Sequence, residues 1–285
     1  MKRIDTFYSK SYGANTSSLS MRKLPLIAEG IKERGLANLI EPKHVAEVAD
    51  KLKDVHFKEY VESVLTGIGK SASSNGWKWT PQIRDGVLAS NAGMLEAAER
   101  ALDTGIAANV GQGYHHAEWF RGGGFCTFNA LALVASQMPD KKVFVLDCDE
   151  HQGNGTKAFT RQFDNLYNFS IFGTYFGNAD ILPRAWDNEV AGWDAYENAL
   201  YGAFTTIADI NPDIILYQAG MDCVKGDGMD FARISAAEAK IRDEAVFDFA
   251  KGCDIPIAFC CAGGYGKKAA RNHINTWQAA VNIYG

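Results

Sequence analysis

Lys142–Gly155 reads KVFVLDCDEHQGNG, and its two halves obey different rules. The first, Lys142–Leu146, is an unbroken run of β-branched, aromatic and aliphatic residues after one lysine. A strand with one wet face alternates polar and apolar residues; a strand covered on both faces does not. The second half is polar and punctuated by glycine. Similar apolar runs lie at Ile106–Val110, Leu166–Phe172, Asp213–Gln218 and Pro256–Cys261. Between and after them, Ala92–Thr104, Thr127–Gln137, Trp193–Asp209, Ser235–Lys251 and Lys267–Ile283 have helical periodicity. Strands of this kind separated by helices predict an α/β fold whose central, mostly parallel sheet carries helices on both faces. The first ninety residues are less regular, with helices expected at Leu24–Arg34 and Phe57–Thr66. With no repeat and no linker, residues 1–285 read as a single domain.

The bulk properties agree and exclude some functions. A chain of 285 residues that is 47% hydrophobic can build one large core. Its net charge of -5 offers no electrostatic footprint for nucleic acid or for an anionic membrane. The N-terminus begins with Lys2 and Arg3 but lacks an apolar signal core, and no run reaches membrane-spanning length. A cytoplasmic protein is expected. The cysteines, at 126, 148, 223, 253, 260 and 261, form no CxxC pair and read as reduced thiols, five of them in or beside apolar runs.

Open α/β sheets bind ligands beyond the carboxyl ends of their strands. Gly113-Tyr114-His115-His116 follows Ile106–Val110, and Asp147 to Gly155 follows Lys142–Leu146. Asp213–Gln218 leads to Gly220-Met221-Asp222, and Pro256–Cys261 to Gly263-Gly264-Tyr265. Four strands therefore deliver His, Asp and Tyr to one edge of the sheet.

In Asp147-x-Asp149-x-His151, residues two apart share a face while the chain stays extended. Asp149 and His151 can converge on one metal, with Asp222 arriving from another strand. Two carboxylates and an imidazole suit zinc, or a similar ion such as ferrous iron, and three protein ligands leave a position open for catalysis. Amide hydrolysis also needs a base for water and an acid for the departing amine, roles that two imidazoles with different partners can divide. His115 and His116 are the candidates, with Asp147 behind His115 and Asn154 behind His116. Tyr265, on a glycine-flexed loop, can donate to the oxyanion. Trp77 and Trp79 read as core residues, with a pocket rim as the alternative.

In order and spacing, GYHHA (113–117), RGGGFC (121–126), DCDEHQGNGT (147–156), YQAGMD (217–222) and AGGY (262–265) resemble the histone deacetylases. The compact class IV group is most similar, with bacterial deacetylase-like amidohydrolases and acetylpolyamine amidohydrolases beside it. Asp54-Val55-His56-Phe57-x-x-Tyr60 is similar to the family's VHxxxY segment. The resemblance implies the arginase/deacetylase fold, zinc on Asp149, His151 and Asp222, and potassium on main-chain oxygens around Asp147, Asp149 and His151. It implies that Gly124 and Phe125 line a narrow acyl-lysine channel, with Tyr175 or Phe176 as a second aromatic wall. Two departures are visible. Asn154 stands where class I enzymes have Asp, which should leave His116 less basic, and Gln152 replaces a second histidine.

The expected activity is zinc-dependent hydrolysis of an N-acyl, acetyl-lysine-like amide to carboxylate and free amine. The substrate is an acylated lysine peptide or a small N-acyl amine, acetylpolyamines included. A manganese ureohydrolase fits less well, because a dinuclear site needs more bridging carboxylates than these motifs supply. A silent acyl-lysine-binding module would not need both histidines and Tyr265. Acyl-chain length and oligomeric state stay open.

Overall fold

Along Val143–Leu146 successive side chains enter opposite cores: Val143 and Val145 join one apolar cluster, Phe144 and Leu146 the other. The same division separates Ile214 and Leu216 from Ile215 and Tyr217, and Ala258 and Cys260 from Ile257 and Phe259. This is the packing that unbroken apolar strands require, since both faces of the sheet are covered.

The computed structural model describes residues 3–177 and 179–285. Its strands are β1 (Ile4–Phe7), β2 (Ala37–Ile40), β3 (Ile106–Gln112), β4 (Val143–Asp147), β5 (Leu166–Phe172), β6 (Ala185–Glu189), β7 (Ile214–Ala219) and β8 (Ile257–Cys261). The helices are α1 (Leu19–Arg22), α2 (Leu24–Glu33), α3 (Val45–Lys51), α4 (Lys58–Thr66), α5 (Pro81–Thr104), α6 (Ala130–Gln137), α7 (Asn154–Phe159), α8 (Trp193–Ile210), α9 (Ala236–Gly252) and α10 (Ala269–Tyr284). One eight-stranded sheet runs in the order β2-β1-β3-β8-β7-β4-β5-β6, and each described pairing is parallel. α5, α6 and α7 cover one face; α2, α8, α9 and α10 cover the other.

Register decides where the polar loops meet. Asp147 pairs with Gln218, Ala219 with Cys261, and Cys261 with Gln112. β3, β8, β7 and β4 thus end level, side by side, at one edge. A bulge between Asn109 and Gln112 lets β3 turn its exit toward that edge, as bulges beside functional sites commonly do.

The expected central strands and helices are present, with ends displaced by a few residues. β1, β2 and β6 are additional. β2 and β6 are the sheet's edges, and their residues, ANLI and AWDNE, are mostly half-buried or exposed, so no apolar run announces them. α5 begins eleven residues before Ala92, with Thr80 accepting from Ile83 N as its cap and Pro81 opening the first turn. Gly86, a poor helix former, obscures its first half in the sequence.

Candidate active site and metal centre

Beyond the level strand ends, Asp149, His151 and Asp222 converge, with a ligand atom from each lying within 4.8 Å of the others. His151 Nδ1 lies 3.2 Å from Asp149 Oδ1 and 3.4 Å from Asp222 Oδ2. Each carboxylate spends its other oxygen on the backbone. Asp149 Oδ2 accepts from Gly263 N at 2.6 Å, and Asp222 Oδ1 from Glu150 N at 3.1 Å. Asp222 Oδ2 is buried and accepts no hydrogen bond, an expensive state for a carboxylate oxygen unless a cation completes it. That oxygen, Asp149 Oδ1 (which also accepts from His151 N at 3.0 Å) and one imidazole nitrogen together fit a divalent metal. Residue 263 must be glycine for this approach, because a Cβ there would lie 1.8 Å from Asp222 Oδ2.

His115 and His116 stand next to the cluster with ring centroids 4.0 Å apart. Their partners are those expected: His115 Nδ1 to Asp147 Oδ2 and His116 Nδ1 to Asn154 Oδ1, each at 2.7 Å. The consequences differ in sign. Burial opposes charge on His115, but Asp147 and Asp149 outweigh it and push its pKa up to about 9. Burial and the neighbouring His115 cation hold His116 well below 6.5, since Asn154 brings no charge to offset them. The two shifts run in opposite directions and make His115 the more basic of the pair.

Tyr265 completes the arrangement. Its backbone N and that of Gly266 donate to the Asp227 carboxylate at 2.7–3.0 Å. Lys23, buried at the α1–α2 junction, donates Nζ to Ala262 O at 2.5 Å and Gly264 O at 3.1 Å. Burial, then the Asp222 and Asp149 charges, keep the Tyr265 phenol well above its usual pKa, so it remains a proton-bearing donor. A cavity of about 220 Å3 opens onto the cluster between His116, Gly124, Phe125, Phe176 and Tyr265. A larger one, about 660 Å3, lies on the Lys225–Lys268 side of Tyr265 and does not touch the histidines.

Gly124 and Phe125 thus lie where the resemblance implied, both at positive φ. A Cβ on Gly124 would come within 2.4 Å of His116 Cδ2. Of the two aromatic candidates for the second wall, Phe176 lines the cavity, stacked on His116 at 3.8 Å. Tyr175 is exposed and packs on Phe172. Trp77 is a core residue, as expected, but it backs Phe125 at 5.4 Å. Trp79 donates Nε1 to Val64 O, away from the site.

Several contributors were not anticipated. Met229 joins the cavity wall, and Lys23 and Asp227 brace the Tyr265 loop. Arg242, fully buried on α9, donates Nη1 to Gly220 O at 2.9 Å and Cys148 O at 3.3 Å, joining the two loops that carry Asp222 and Asp149. A charged residue in a helix spanning apolar positions was the available signal for Arg242. Met229, on an irregular loop, left none.

The histone deacetylase domain model matches residues 17–281. Histone deacetylase 2 of Arabidopsis thaliana is 26% identical over 95% of this chain and 77% of its own length. Acetylpolyamine amidohydrolase 1 of Pseudomonas aeruginosa is 27% identical over 58% of this chain and 52% of its own. Among solved structures, an acetylpolyamine aminohydrolase from Burkholderia pseudomallei superposes with a TM-score of 0.79 at 15% identity, covering 98% of this chain and 99% of that one. With the family model matched along nearly the whole chain, this protein belongs to the histone deacetylase family.

Proposed function

We propose that residues 1–285 act as one catalytic domain that hydrolyses a linear N-acyl amide, with zinc on Asp149, His151 and Asp222. The observation that carries this reading is the pairing of an orphaned, metal-ready carboxylate oxygen with two adjacent histidines whose basicities are pushed in opposite directions. A zinc ion bound there supplies a Lewis acid that polarises the acyl carbonyl and makes water more acidic. His116 accepts the proton of the attacking water through its inward nitrogen and later returns it to the departing amine. His115 contributes fixed positive charge held by Asp147, and the Tyr265 hydroxyl donates to the tetrahedral oxyanion. The products are a carboxylate and a free amine.

The wall formed by Phe125, Phe176 and Met229 suits the methylenes of an extended amine chain. An acyl-lysine side chain and an acetylated polyamine both present one. Relatives named histone deacetylase and acetylpolyamine amidohydrolase lend support to each substrate class. No helix among the described residues is long and apolar enough to cross a membrane.

Acetate release from an acetyl-lysine peptide and from acetylated polyamines tests the proposal. Turnover of at least one is expected to vanish with a chelator and return with added zinc. A protein that binds zinc yet hydrolyses neither class, at any acyl length, would make this a binding module instead.

A further inference from the structure

Glu118 lies two residues beyond the histidine pair, its side chain 25% exposed. Its Oε2 accepts from Arg121 Nε at 2.9 Å and its Oε1 from Asn154 Nδ2 at 3.1 Å. Asn154 Oδ1 in turn meets His116 Nδ1 at 2.7 Å. A line of polar contacts, Arg121 to Glu118 to Asn154 to His116, therefore runs from the surface into the site.

Chemistry gives that line a direction. A carboxylate paired with arginine offers acceptors only, so Asn154 must turn its amide NH2 toward Glu118. Its carbonyl oxygen then faces His116, and because that oxygen can only accept, Nδ1 must carry the hydrogen. In a neutral imidazole the lone pair then resides on Nε2, the nitrogen left to act as a base. Asparagine alone enforces nothing of the kind. Rotated by half a turn it would present NH2 to Nδ1 and favour the hydrogen on Nε2, where no proton could be accepted.

Glu118 is itself held in place. Its backbone N donates to Arg121 O at 2.9 Å, His56 Nδ1 donates to its carbonyl at 2.9 Å, and the adjoining Trp119 carbonyl accepts from Phe57 N at 2.9 Å. The turn that presents the carboxylate is thus tied to the segment entering α4, which accounts for the His56 motif noted in the sequence.

We infer that Glu118 is a positioning residue that selects the tautomer of His116 by fixing the orientation of Asn154. The inference rests on His116 being the base in the proposed reaction, but its primary readout does not depend on activity.

Full-length, zinc-loaded protein with 15N-labelled histidine should show His116 protonated at Nδ1 in long-range proton–nitrogen correlations. Glu118→Leu, a change at a partly exposed site, should move part of the population to Nε2–H. It should also lower kcat about tenfold with little change in KM. In an Asn154→Asp background residue 154 has acceptors only, so adding Glu118→Leu should leave both the nitrogen shifts and kcat close to those of Asn154→Asp alone. An unchanged His116 signature in Glu118→Leu, or the same cost in both backgrounds, overturns the proposal. A tautomer shift without a fall in kcat supports the positioning role and removes His116 as the base.

Discussion

The floor and the outer wall of this site are held by different means. On the floor, Asp149 and Asp222 each bond a main-chain amide, and Arg242 joins the loops behind them through their carbonyls. Geometry there follows from strand register. The wall is made from three irregular loops and kept in shape by ring contacts: Trp77 behind Phe125, and Phe176 against His116. A floor fixed by backbone should fail abruptly when one ligand is lost, whereas a wall fixed by packing should degrade by increments. The difference separates chemistry from substrate fit.

The largest effect should come from the floor. Asp222→Ala leaves two of the three proposed ligands and is expected to abolish stoichiometric zinc binding and reduce kcat/KM by roughly 10³-fold or more. Metal analysis after dialysis, beside a steady-state assay, measures both. Full zinc content in that variant would mean the three residues do not share an ion. Next comes Tyr265→Phe, which deletes the proposed donor to the developing oxyanion. It should lower kcat on the order of 10²-fold while KM stays nearly constant. An equal rise in KM instead would assign Tyr265 to substrate binding.

The same contrast explains what could be read from the chain. Asp149, His151, Asp222, His115 and Tyr265 were legible because each follows an apolar strand by a fixed, short interval, and parallel strands in register must end together. β2 and β6 were not, since edge strands need no second buried face. Phe176 could be narrowed only to itself or Tyr175: neighbours on an extended segment point opposite ways, and nothing local says which faces the ligand. Glu118 and Lys23 were invisible for a different reason. They act across 36 and more than 230 positions of sequence, on Asn154 and on the Tyr265 loop, where no periodicity connects the partners.

A smaller effect should follow from the wall. Phe125→Ala takes an aromatic surface from the cavity and a ring neighbour, 6.1 Å away, from Tyr265, but it removes no proposed ligand or donor of the reaction. KM for an acyl-lysine peptide should rise roughly tenfold, about 1.4 kcal/mol of binding, with kcat within about twofold. Loss confined to kcat would show that this wall orients the carbonyl rather than gripping the chain. Trp77→Ala is a poorer probe, because emptying its buried site should cost about 3–5 kcal/mol of stability.

The least effect on turnover at neutral pH is expected from pH acting on His56, which braces the turn that carries Glu118. Nε2 accepts from Asn129 N at 3.0 Å while Nδ1 donates to Glu118 O, so the ring is neutral. Burial, against the weaker pull of the Glu118 and Trp119 backbone, lowers its pKa to about 4. The unfolded chain, with an ordinary pKa near 6.5, takes up the proton first. The depressed folded value therefore favours the native state fully above about pH 6.5, and that contribution is lost as pH falls toward 4. Between pH 7.5 and 5 the loss should be about 2 kcal/mol. Urea unfolding of zinc-loaded wild type and His56→Gln at both pH values isolates it, since other titrations are common to the pair. Wild type should lose about 2 kcal/mol more than the variant on acidification, and parallel losses would mean that His56 takes up its proton as readily in the fold as in water.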